Sequence, residues 1–425
     1  MGERAHLLTA SVDVETHIQD VAEVLDADRP TDTVVVAVSR TPFGRFGGVL
    51  KDIDAPRLGA LAINEALVRA QPIAGEVDAL YGGVGMMGSA MLTPVRQAVL
   101  LSKLRETTPS ATIDRACCSG MTAIGVGMKD IRLSEARTVI CGGFESLSRT
   151  PILWPRERAR RIGDVSSTDP LLMRGLMVDR PIPVYSGDEA VRHGIDRRQQ
   201  DEWAMRSHGR YFMAESEGYF EFERFAVDAV DEKGHPRRVT TDESPRANSS
   251  LEKLGALEPV YGSKTITAGN APGLNDGAAF LVVTRRDFAA EHGMEPLARL
   301  VDYVQVSGGP TSGTATPATA IIRLAERNGI APSDWDLVEI NEAYAATPLV
   351  STLILADGDR AAADKLRERT NVHGGAVAIG HPLGASGARI VMTLINGLRR
   401  RGGGLGVAAI CGGFGQGDAV MVEVV

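Results

Sequence analysis

Hydrophobic and polar positions along the chain form two kinds of segment. Thr33–Val38 is a continuous apolar run, which is typical of a strand buried on both faces. Leu58–Arg69 instead repeats its apolar residues at helical spacing. Strand-like and helical patterns alternate in this way up to about residue 150, which predicts an α/β fold with a largely parallel sheet. Further core strands are predicted at Ala279–Thr284, Leu337–Ile340, Leu405–Ile410 and Ala419–Val425.

Two segments interrupt this pattern. Residues 1–31 are interpreted as an N-terminal extension, in which the apolar spacing from Val14 to Leu25 fits one face of a short helix but a loose arm fits equally well. Residues 151–265 contain a basic run at Arg156–Arg161, a helical pattern that we expect to be exposed at Ile195–Phe212 and a polar stretch at Arg237–Lys264. We interpret this second segment as an inserted loop domain.

An internal repeat indicates that the core is duplicated. Ile140–Phe144 and Ile410–Phe414 have the same sequence, Ile-Cys-Gly-Gly-Phe, and each copy ends an apolar strand that follows a helical segment. We therefore predict two related α/β halves. The predicted divisions are an extension at 1–31, a first half at 32–150 plus 266–292, a loop domain at 151–265 and a second half at 293–425.

Composition narrows the possible function classes. The 425 residues include 46 Lys and Arg and 54 Asp and Glu, which gives a net charge of −8. Because nucleic-acid binding needs a basic face to neutralise phosphates, this charge argues against nucleic acid as a partner. The apolar runs are shorter than a membrane span requires, and the N-terminus is not typical of a signal peptide. Four cysteines without CxxC spacing predict no metal site and a reducing compartment, which we take to be the cytoplasm. The 47 glycines are an excess that favours tight turns and close backbone approaches around a site.

Cys117 and Cys118 lie where a predicted strand turns into a predicted helix that begins near Ser119. Free N–H groups and the positive dipole end of a helix stabilise a thiolate and can hold an oxyanion there. Either cysteine could therefore be a nucleophile, although a cysteine more often simply packs in the core. From the pattern alone the choice between the two stays open.

Three further segments could supply partners for such a thiol. His373 and His381 both lie in Gly- and Pro-rich turns, and either could serve as the base that a cysteine nucleophile needs. Cys411 ends a strand before a glycine-rich turn and could transfer protons. Asn341 ends a strand before a helix, where a helix cap is the alternative to positioning a water.

Together these segments resemble the thiolase family. Six sets of residues carry the resemblance: Arg40–Gly44, Cys117–Gly120, Gly142–Ser146, the pair Thr267–Ala271 and Asn275–Ala278, Asn341–Ala346, and Gly380–Gly384 with the Cys-Gly-rich run from Cys411. The resemblance covers residues 32–425. It implies a thiolase fold with duplicated halves in a layered αβαβα arrangement, and a homodimer or homotetramer.

The resemblance also implies a role for each candidate. Cys117 would be the acylated nucleophile and Cys118 packing, His381 would activate Cys117 and hold the thioester oxygen, and Cys411 would be the second acid/base. Asn341 would hold a water in one oxyanion hole, and the Gly413 N–H would contribute to the other. Acyl-CoA and acetyl-CoA would be the substrates, with no metal or other cofactor.

Several positions depart from the family pattern. Ala268 and Pro272 fall in the segment that would contact the CoA pantetheine, and Pro272 replaces a common Ser. Glu258 stands where a basic residue usually precedes a proline, and Tyr344 replaces Phe in the Asn341 segment. The basic run Arg156–Arg161 could supply phosphate contacts instead, or be a solvated charged helix.

Two alternatives remain beside a thiolase that makes or cleaves 3-oxoacyl-CoA. One is a decarboxylating condensing enzyme of the ketosynthase type, which does not need a second cysteine. The other is a catalytically silent thiolase-like lipid-binding protein, for which loss of a catalytic residue would be expected. Acyl chain length and the direction of the reaction do not follow from the sequence.

Overall fold

The computed structural model describes residues 29–87, 92–154, 166–231 and 233–425. The first half of the fold contains β1 (Thr33–Arg40), β2 (Gly44–Arg45), α1 (Ala55–Arg69), β3 (Ala79–Gly83), α2 (Pro94–Leu101), β4 (Ser110–Ile113), α3 (Ser119–Arg132) and β5 (Thr138–Ser146). All eight residues of β1 are buried, as its continuous apolar run predicts.

The intervening segment and the second half complete the order of elements. The segment after β5 contains α4 (Ile182–Arg192), α5 (Arg197–Ser216), β6 (Val227–Val230), β7 (Pro236–Val239) and α6 (Leu251–Gly255), and the chain then returns to the first half with β8 (Asn275–Arg285) and α7 (Arg286–Glu291). The second half contains β9 (Ala298–Ser307), α8 (Thr316–Arg327), β10 (Leu337–Ile340), α9 (Ala346–Leu355), α10 (Arg360–Glu368), α11 (Ala376–Ile379), α12 (Leu383–Arg400), β11 (Gly404–Gly412) and β12 (Gln416–Val424).

The sheet repeats one strand order twice. Over the described ranges, ten strands form one sheet in the order β10-β11-β12-β9-β1-β8-β5-β3-β4, with β2 paired to β8. The order β1-β8-β5-β3 thus matches β9-β12-β11-β10. The two parts join where β1 pairs antiparallel with β9, with Val34 opposite Arg299. The duplicated Ile-Cys-Gly-Gly-Phe sequence lies on the equivalent strands β5 and β11, so the structure confirms the predicted duplication.

Helices and sheet form five layers. Helix α1 packs on the outer face of β1, β5 and β8, and α8 packs on the outer face of β9, β11 and β12. Helices α3 and α12 lie between the two parts of the sheet and contact strands of both. The largest buried apolar cluster includes residues from α3, α12 and both halves, so the centre of the core is the space between the sheet parts.

Glycines allow the two central helices to approach closely. A Cβ atom built on Gly120 of α3 would lie 2.3 Å from the carbonyl oxygen of Gly384, and one built on Gly387 of α12 would lie 2.5 Å from the backbone N of Met121. Larger residues at these positions would push the helices apart. The crossing therefore sets the distance between the turns that precede α3 and α12.

The segment between the halves is more ordered and more buried than its sequence predicts. Helix α5 was expected to be exposed, but Trp203, His208 and Tyr211 are buried along one face. The predicted polar stretch Arg237–Lys264 contains most of β7 and all of α6. The predicted helix spacing from Val14 to Leu25 and the basic run Arg156–Arg161 lie outside the described residues. Within the described ranges, no helix has both the length and the apolar composition needed to cross a bilayer.

We predict that Gly387→Ala lowers the free energy of unfolding by about 1–3 kcal/mol, because the added methyl overpacks the crossing with Met121. Chemical denaturation monitored by circular dichroism measures the change. Gly209→Ala is the matched control, since Gly209 lies on α5 with no other atom within 4 Å of an added Cβ. A helix-interior Ala should stabilise that site or leave it unchanged. Equal stability of Gly387→Ala and the wild type would contradict the proposed constraint.

Candidate active site

One cavity brings together side chains that are far apart in the sequence. Its volume is about 110 Å³, and its lining includes Cys117, His381, Cys411 and Gly413. Cys117 comes from the first half, the other three come from the second half, and α4 of the intervening segment adds Ile182, Tyr185 and Ser186 to the wall. The two halves and the inserted segment therefore build the site jointly.

Cys117 lies on a tight turn between β4 and α3. The residue before it, Ala116, has a φ of 52°, a left-handed conformation that is costly for a residue with a side chain. The Ser119 hydroxyl fixes this turn by accepting a hydrogen bond from the Arg115 N–H at 2.8 Å and donating one to the Ala116 carbonyl at 2.6 Å. The turn presents the Cys117 thiol to the cavity.

The structure distinguishes the two adjacent cysteines. Cys118 is fully buried, packs in the central core, and its Sγ lies 3.5 Å from the Ile410 carbonyl oxygen. Cys117 is partly exposed and lines the cavity. Cys141, the equivalent of Cys411 in the first half, is also fully buried and does not line the cavity.

His381 lies in the turn between α11 and α12. Gly380 adopts a φ of 113°, and a Cβ there would lie 2.6 Å from the Asn275 side chain, so only glycine fits. The Asn275 Oδ1 accepts a hydrogen bond from the His381 N–H at 2.9 Å, while its Nδ2 donates to Gly44 and Ser244 at 2.8 Å each. Asn275 thus anchors the histidine turn to the first half.

The hydrogen bonds of His381 define its tautomer. The Ser386 hydroxyl donates to the Pro382 carbonyl at 2.9 Å and lies 2.6 Å from His381 Nδ1. Because a hydroxyl has only one proton, Ser386 must accept from Nδ1–H. The other nitrogen, Nε2, then carries a lone pair, and it lies 3.1 Å from Cys117 Sγ. The geometry is that of a thiol and the base that would deprotonate it.

His373, the other candidate histidine, belongs to a different environment. Its ring stacks on Tyr219, with ring centroids 3.7 Å apart. Burial, with Arg400 and Arg210 nearby, lowers its pKa to about 4. It does not line the cavity, so only His381 meets the thiol.

The groups in the cavity are neutral at neutral pH. Burial raises the pKa of the Cys117 thiol well above its usual value, and the neighbouring Cys411 and Glu145 raise it further. Burial, with Arg389, lowers the pKa of His381 to about 3. Burial, with Glu189, raises the pKa of Cys411 to about 12. A low-dielectric site disfavours every charged form, so Cys117 and His381 form a thiol–imidazole pair and not an ion pair.

Cys411 and Gly413 lie at the end of β11, where the chain turns into β12. Phe414 has a φ of 61° in this turn and lines the cavity mouth, about half exposed. The turn is tied to the nucleophile turn, because Arg115 Nε donates to Gln416 Oε1 at 3.0 Å and Gln416 Nε2 donates to the Gly413 carbonyl at 3.1 Å. The backbones at Cys117 and Gly413 are therefore held in one unit.

Asn341 does not cap a helix and is not among the residues that line the cavity, although Ala343, two residues later, is. Helix α9 begins five residues later, and the Asn341 N–H donates to the Ala409 carbonyl at 2.9 Å. The side chain is fully buried, and neither its Oδ1 nor its Nδ2 has a hydrogen-bond partner in the described part of the chain. A buried unsatisfied amide in a polar site is the environment in which an ordered water binds.

Glu145 is a buried residue at the site whose role the sequence reasoning missed. Its carboxylate accepts hydrogen bonds from the N–H groups of Gly85, Met86 and Gly384, at 2.7, 3.2 and 3.1 Å. Burial raises its pKa to about 7, against the opposing effect of those N–H groups. Glu145 thereby joins the start of α12 to the first half. The Gly-Gly-Phe-Glu-Ser sequence marked this segment, but its hydrogen-bond partners are distant in sequence.

Of the two residues suggested to contact CoA, one lines the cavity and the other does not. Pro272 lines the cavity, whereas Ala268 is exposed and is not part of its lining. Glu258 is also exposed. No group of three or more His, Cys, Asp or Glu side chains within the described ranges is arranged to hold a metal ion.

Comparison with known proteins agrees with this arrangement. Residues 33–287 match the family model "Thiolase, N-terminal domain", and residues 294–424 match "Thiolase, C-terminal domain". A probable acetyl-CoA acetyltransferase of Mycobacterium tuberculosis is 38% identical over 398 residues, which cover 92% of this chain and 99% of that protein. The mitochondrial 3-ketoacyl-CoA thiolase of Bos taurus is 36% identical over 92% of this chain and 97% of its own length.

A solved structure is similar over nearly the same range. The crystal structure of human mitochondrial 3-ketoacyl-CoA thiolase in complex with CoA has a TM-score of 0.85 and 36% sequence identity, covering 93% of this chain and 98% of that one. The fold, the order of motifs and both family models lead to one assignment. This chain belongs to the thiolase family.

Proposed function

We propose that this protein catalyses the reversible reaction acyl-CoA + acetyl-CoA = 3-oxoacyl-CoA + CoA through an acyl-cysteine intermediate. One observation carries the proposal: the Cys117 thiol lies 3.1 Å from the unprotonated nitrogen of His381 in a cavity that Cys411 also lines. A nucleophile, its base and a second thiol in one small space are what this chemistry needs.

The first step is acyl transfer to Cys117. His381 Nε2 accepts the thiol proton while the sulfur attacks the thioester carbonyl, because the raised pKa of Cys117 disfavours a free thiolate beforehand. The tetrahedral oxyanion is held by preorganised N–H donors, which we assign to Cys117 and Gly413. The carbon–sulfur bond to CoA then breaks, and Cys411 gives its proton to the leaving sulfur.

The second step forms the carbon–carbon bond. The Cys411 thiolate produced by the first step removes a proton from the acetyl-CoA methyl group. The enolate oxygen is stabilised by protonated His381 and by a water held on the unpaired amide of Asn341. The enolate carbon attacks the acyl group, the Cys117 sulfur leaves, and His381 returns the proton to it. Loss of one such oxyanion donor typically costs about 3–4 kcal/mol in the barrier.

The position of Cys411 favours this reaction over a decarboxylating condensation. Decarboxylation generates the enolate without removing a proton from carbon, so it needs no second thiol beside the nucleophile. A silent lipid-binding protein would likewise not require Cys117, His381 and Cys411 to line one cavity, nor Asn341 to be retained.

Four further points belong to the same proposal. CoA thioesters are substrates, and no metal or redox cofactor takes part. The protein acts in the cytoplasm. It forms a homodimer or homotetramer, and light scattering after size-exclusion chromatography would test this oligomeric state.

The divisions at 32–150 plus 266–292, 151–265 and 293–425 serve as functional units. Pro272 contacts the pantetheine, which its place in the cavity lining supports.

We predict that Cys411→Ala still accepts an acyl group on Cys117, more slowly because the leaving CoA sulfur loses its proton donor, but condenses about 100- to 10,000-fold more slowly than the wild type, the usual effect of losing a general base. Mass spectrometry after mixing with acetyl-CoA measures acylation, and acetoacetyl-CoA formation measures condensation. Cys141→Ala is the matched control, because Cys141 is the equivalent buried cysteine outside the cavity. Full condensation by Cys411→Ala would refute the role of Cys411, and absence of label on Cys117 in the wild type would refute the whole mechanism.

We predict that alkylation of Cys117 by iodoacetamide in the free enzyme accelerates steadily from pH 6 to pH 9. The raised pKa of the thiol and the lowered pKa of His381 mean that the thiolate fraction grows about tenfold per pH unit, without an ion pair forming near neutrality. Peptide mass spectrometry locates the label, and Cys117→Ala gives the background. A rate that is constant between pH 6 and 8 would instead indicate a thiolate–imidazolium pair.

A further inference from the structure

One wall of the cavity carries a hydroxyl group that the mechanism does not use. Thr347 lies in the first turn of α9, is only 1% exposed and lines the cavity. Its Oγ1 atom is buried and makes no hydrogen bond within the described residues. A buried hydroxyl without a partner is destabilising, so such a group in a ligand cavity indicates that something polar binds there.

Two other hydroxyls of the same cavity, those of Thr314 and Tyr185, each make a hydrogen bond. The Thr314 hydroxyl donates to the buried carboxylate of Glu189, and the Tyr185 hydroxyl accepts a hydrogen bond from the Arg180 N–H at 2.8 Å. Thr347 differs from both, because its hydroxyl neither donates nor accepts a hydrogen bond within the described residues.

Tyr344 places a second hydroxyl on the same wall. It lies three residues before Thr347, and the Thr347 N–H donates to its carbonyl at 3.0 Å. Its side chain lines the cavity with Cys117 and Cys411. The phenolic oxygen of Tyr344 is therefore a second candidate contact for a polar occupant of the cavity.

Charge restricts which polar group could bind. The described residues that line the cavity include no Lys, Arg, Asp or Glu, and its one histidine is neutral. Glu189 lies behind Thr314, where its carboxylate would repel an anion. An uncharged oxygen can be accommodated beside Thr347, whereas a carboxylate would be buried without a cation.

We propose that the hydroxyls of Thr347 and Tyr344 bind an uncharged oxygen on the acyl chain, so that the preferred substrates are 3-oxoacyl-CoA thioesters carrying a hydroxyl, carbonyl or ether oxygen. The inference rests on the proposed thiolase function and names its substrate class.

Thiolysis of substrates that share one six-carbon skeleton tests the inference. The probes are 3-oxohexanoyl-CoA, its 5-hydroxy and 6-hydroxy derivatives, and 3-oxoadipyl-CoA, which ends in a carboxylate. For the wild type we expect kcat/KM for at least one hydroxy derivative to exceed that for 3-oxohexanoyl-CoA by about tenfold, and kcat/KM for 3-oxoadipyl-CoA to be the lowest.

Variants then show whether the two hydroxyls cause the preference. Thr347→Val keeps the shape of the side chain and should bring the ratio of hydroxy to alkyl kcat/KM down to about one, and Tyr344→Phe should reduce it in part. Thr352→Val is the matched control on the same helix, because the Thr352 hydroxyl donates to the Pro348 carbonyl at 2.7 Å and lies outside the cavity lining. Its ratio should equal that of the wild type, whatever its stability.

The outcomes separate the two proposals. Thiolysis of 3-oxohexanoyl-CoA with no preference for either hydroxy derivative, or a preference that survives Thr347→Val, would overturn the substrate inference and leave the thiolase function standing. A preference for 3-oxoadipyl-CoA would overturn the charge argument and the inference with it. Thiolysis of none of the four by folded protein would overturn both.

Discussion

The close crossing of α3 and α12 is the constraint on which the rest of this structure depends. Each helix begins just after a catalytic candidate, Cys117 in one half and His381 in the other. Gly120 and Gly387 lack the side chains that would separate the helix axes, and Gly384 lets the start of α12 approach the backbone of β3 and β5. The 3.1 Å contact between sulfur and imidazole is therefore a consequence of backbone packing, and neither turn could provide it alone. Each half contributes one of the two helices, and the glycines at their crossing set the distance between the helix axes.

Burial then decides the electrostatic state of the site. Because the cavity lies between the sheet parts, the thiols and the imidazole are all held in their neutral forms. In the proposed mechanism, charge appears only when a substrate is present to receive it, and the Ser386 hydroxyl fixes the His381 tautomer that accepts the first proton. The same low dielectric strengthens each donor aimed at a developing oxyanion. Burial in a low-dielectric cavity thus accounts both for the neutral resting groups and for the transition-state stabilisation in the proposed mechanism.

The sequence predicted most of the framework and only part of the site. Strand β1, helix α3 and the duplicated strands β5 and β11 have periodicities or repeats that local pattern detects. The choice of Cys117 over Cys118, and of His381 over His373, could not follow from pattern, because both members of each pair lie on similar turns. Long-range contacts distinguish the two members of each pair, because Cys118 packs in the core and His373 stacks on Tyr219. The buried face of α5 was missed because polar side chains such as His208 cover much of it.

The unpaired side chains of Asn341 and Thr347 have different parts in what we propose, one in the reaction and the other in substrate recognition. Asn341 and Thr347 flank a single short segment between β10 and α9, and both are buried without partners in the described structure. An amide can accept and donate at once, which suits a fixed water that stabilises an enolate in every turnover. A hydroxyl beside an apolar surface suits a contact that one acyl chain makes and another lacks. In the two proposals, the reaction and its selectivity therefore share one segment as their support.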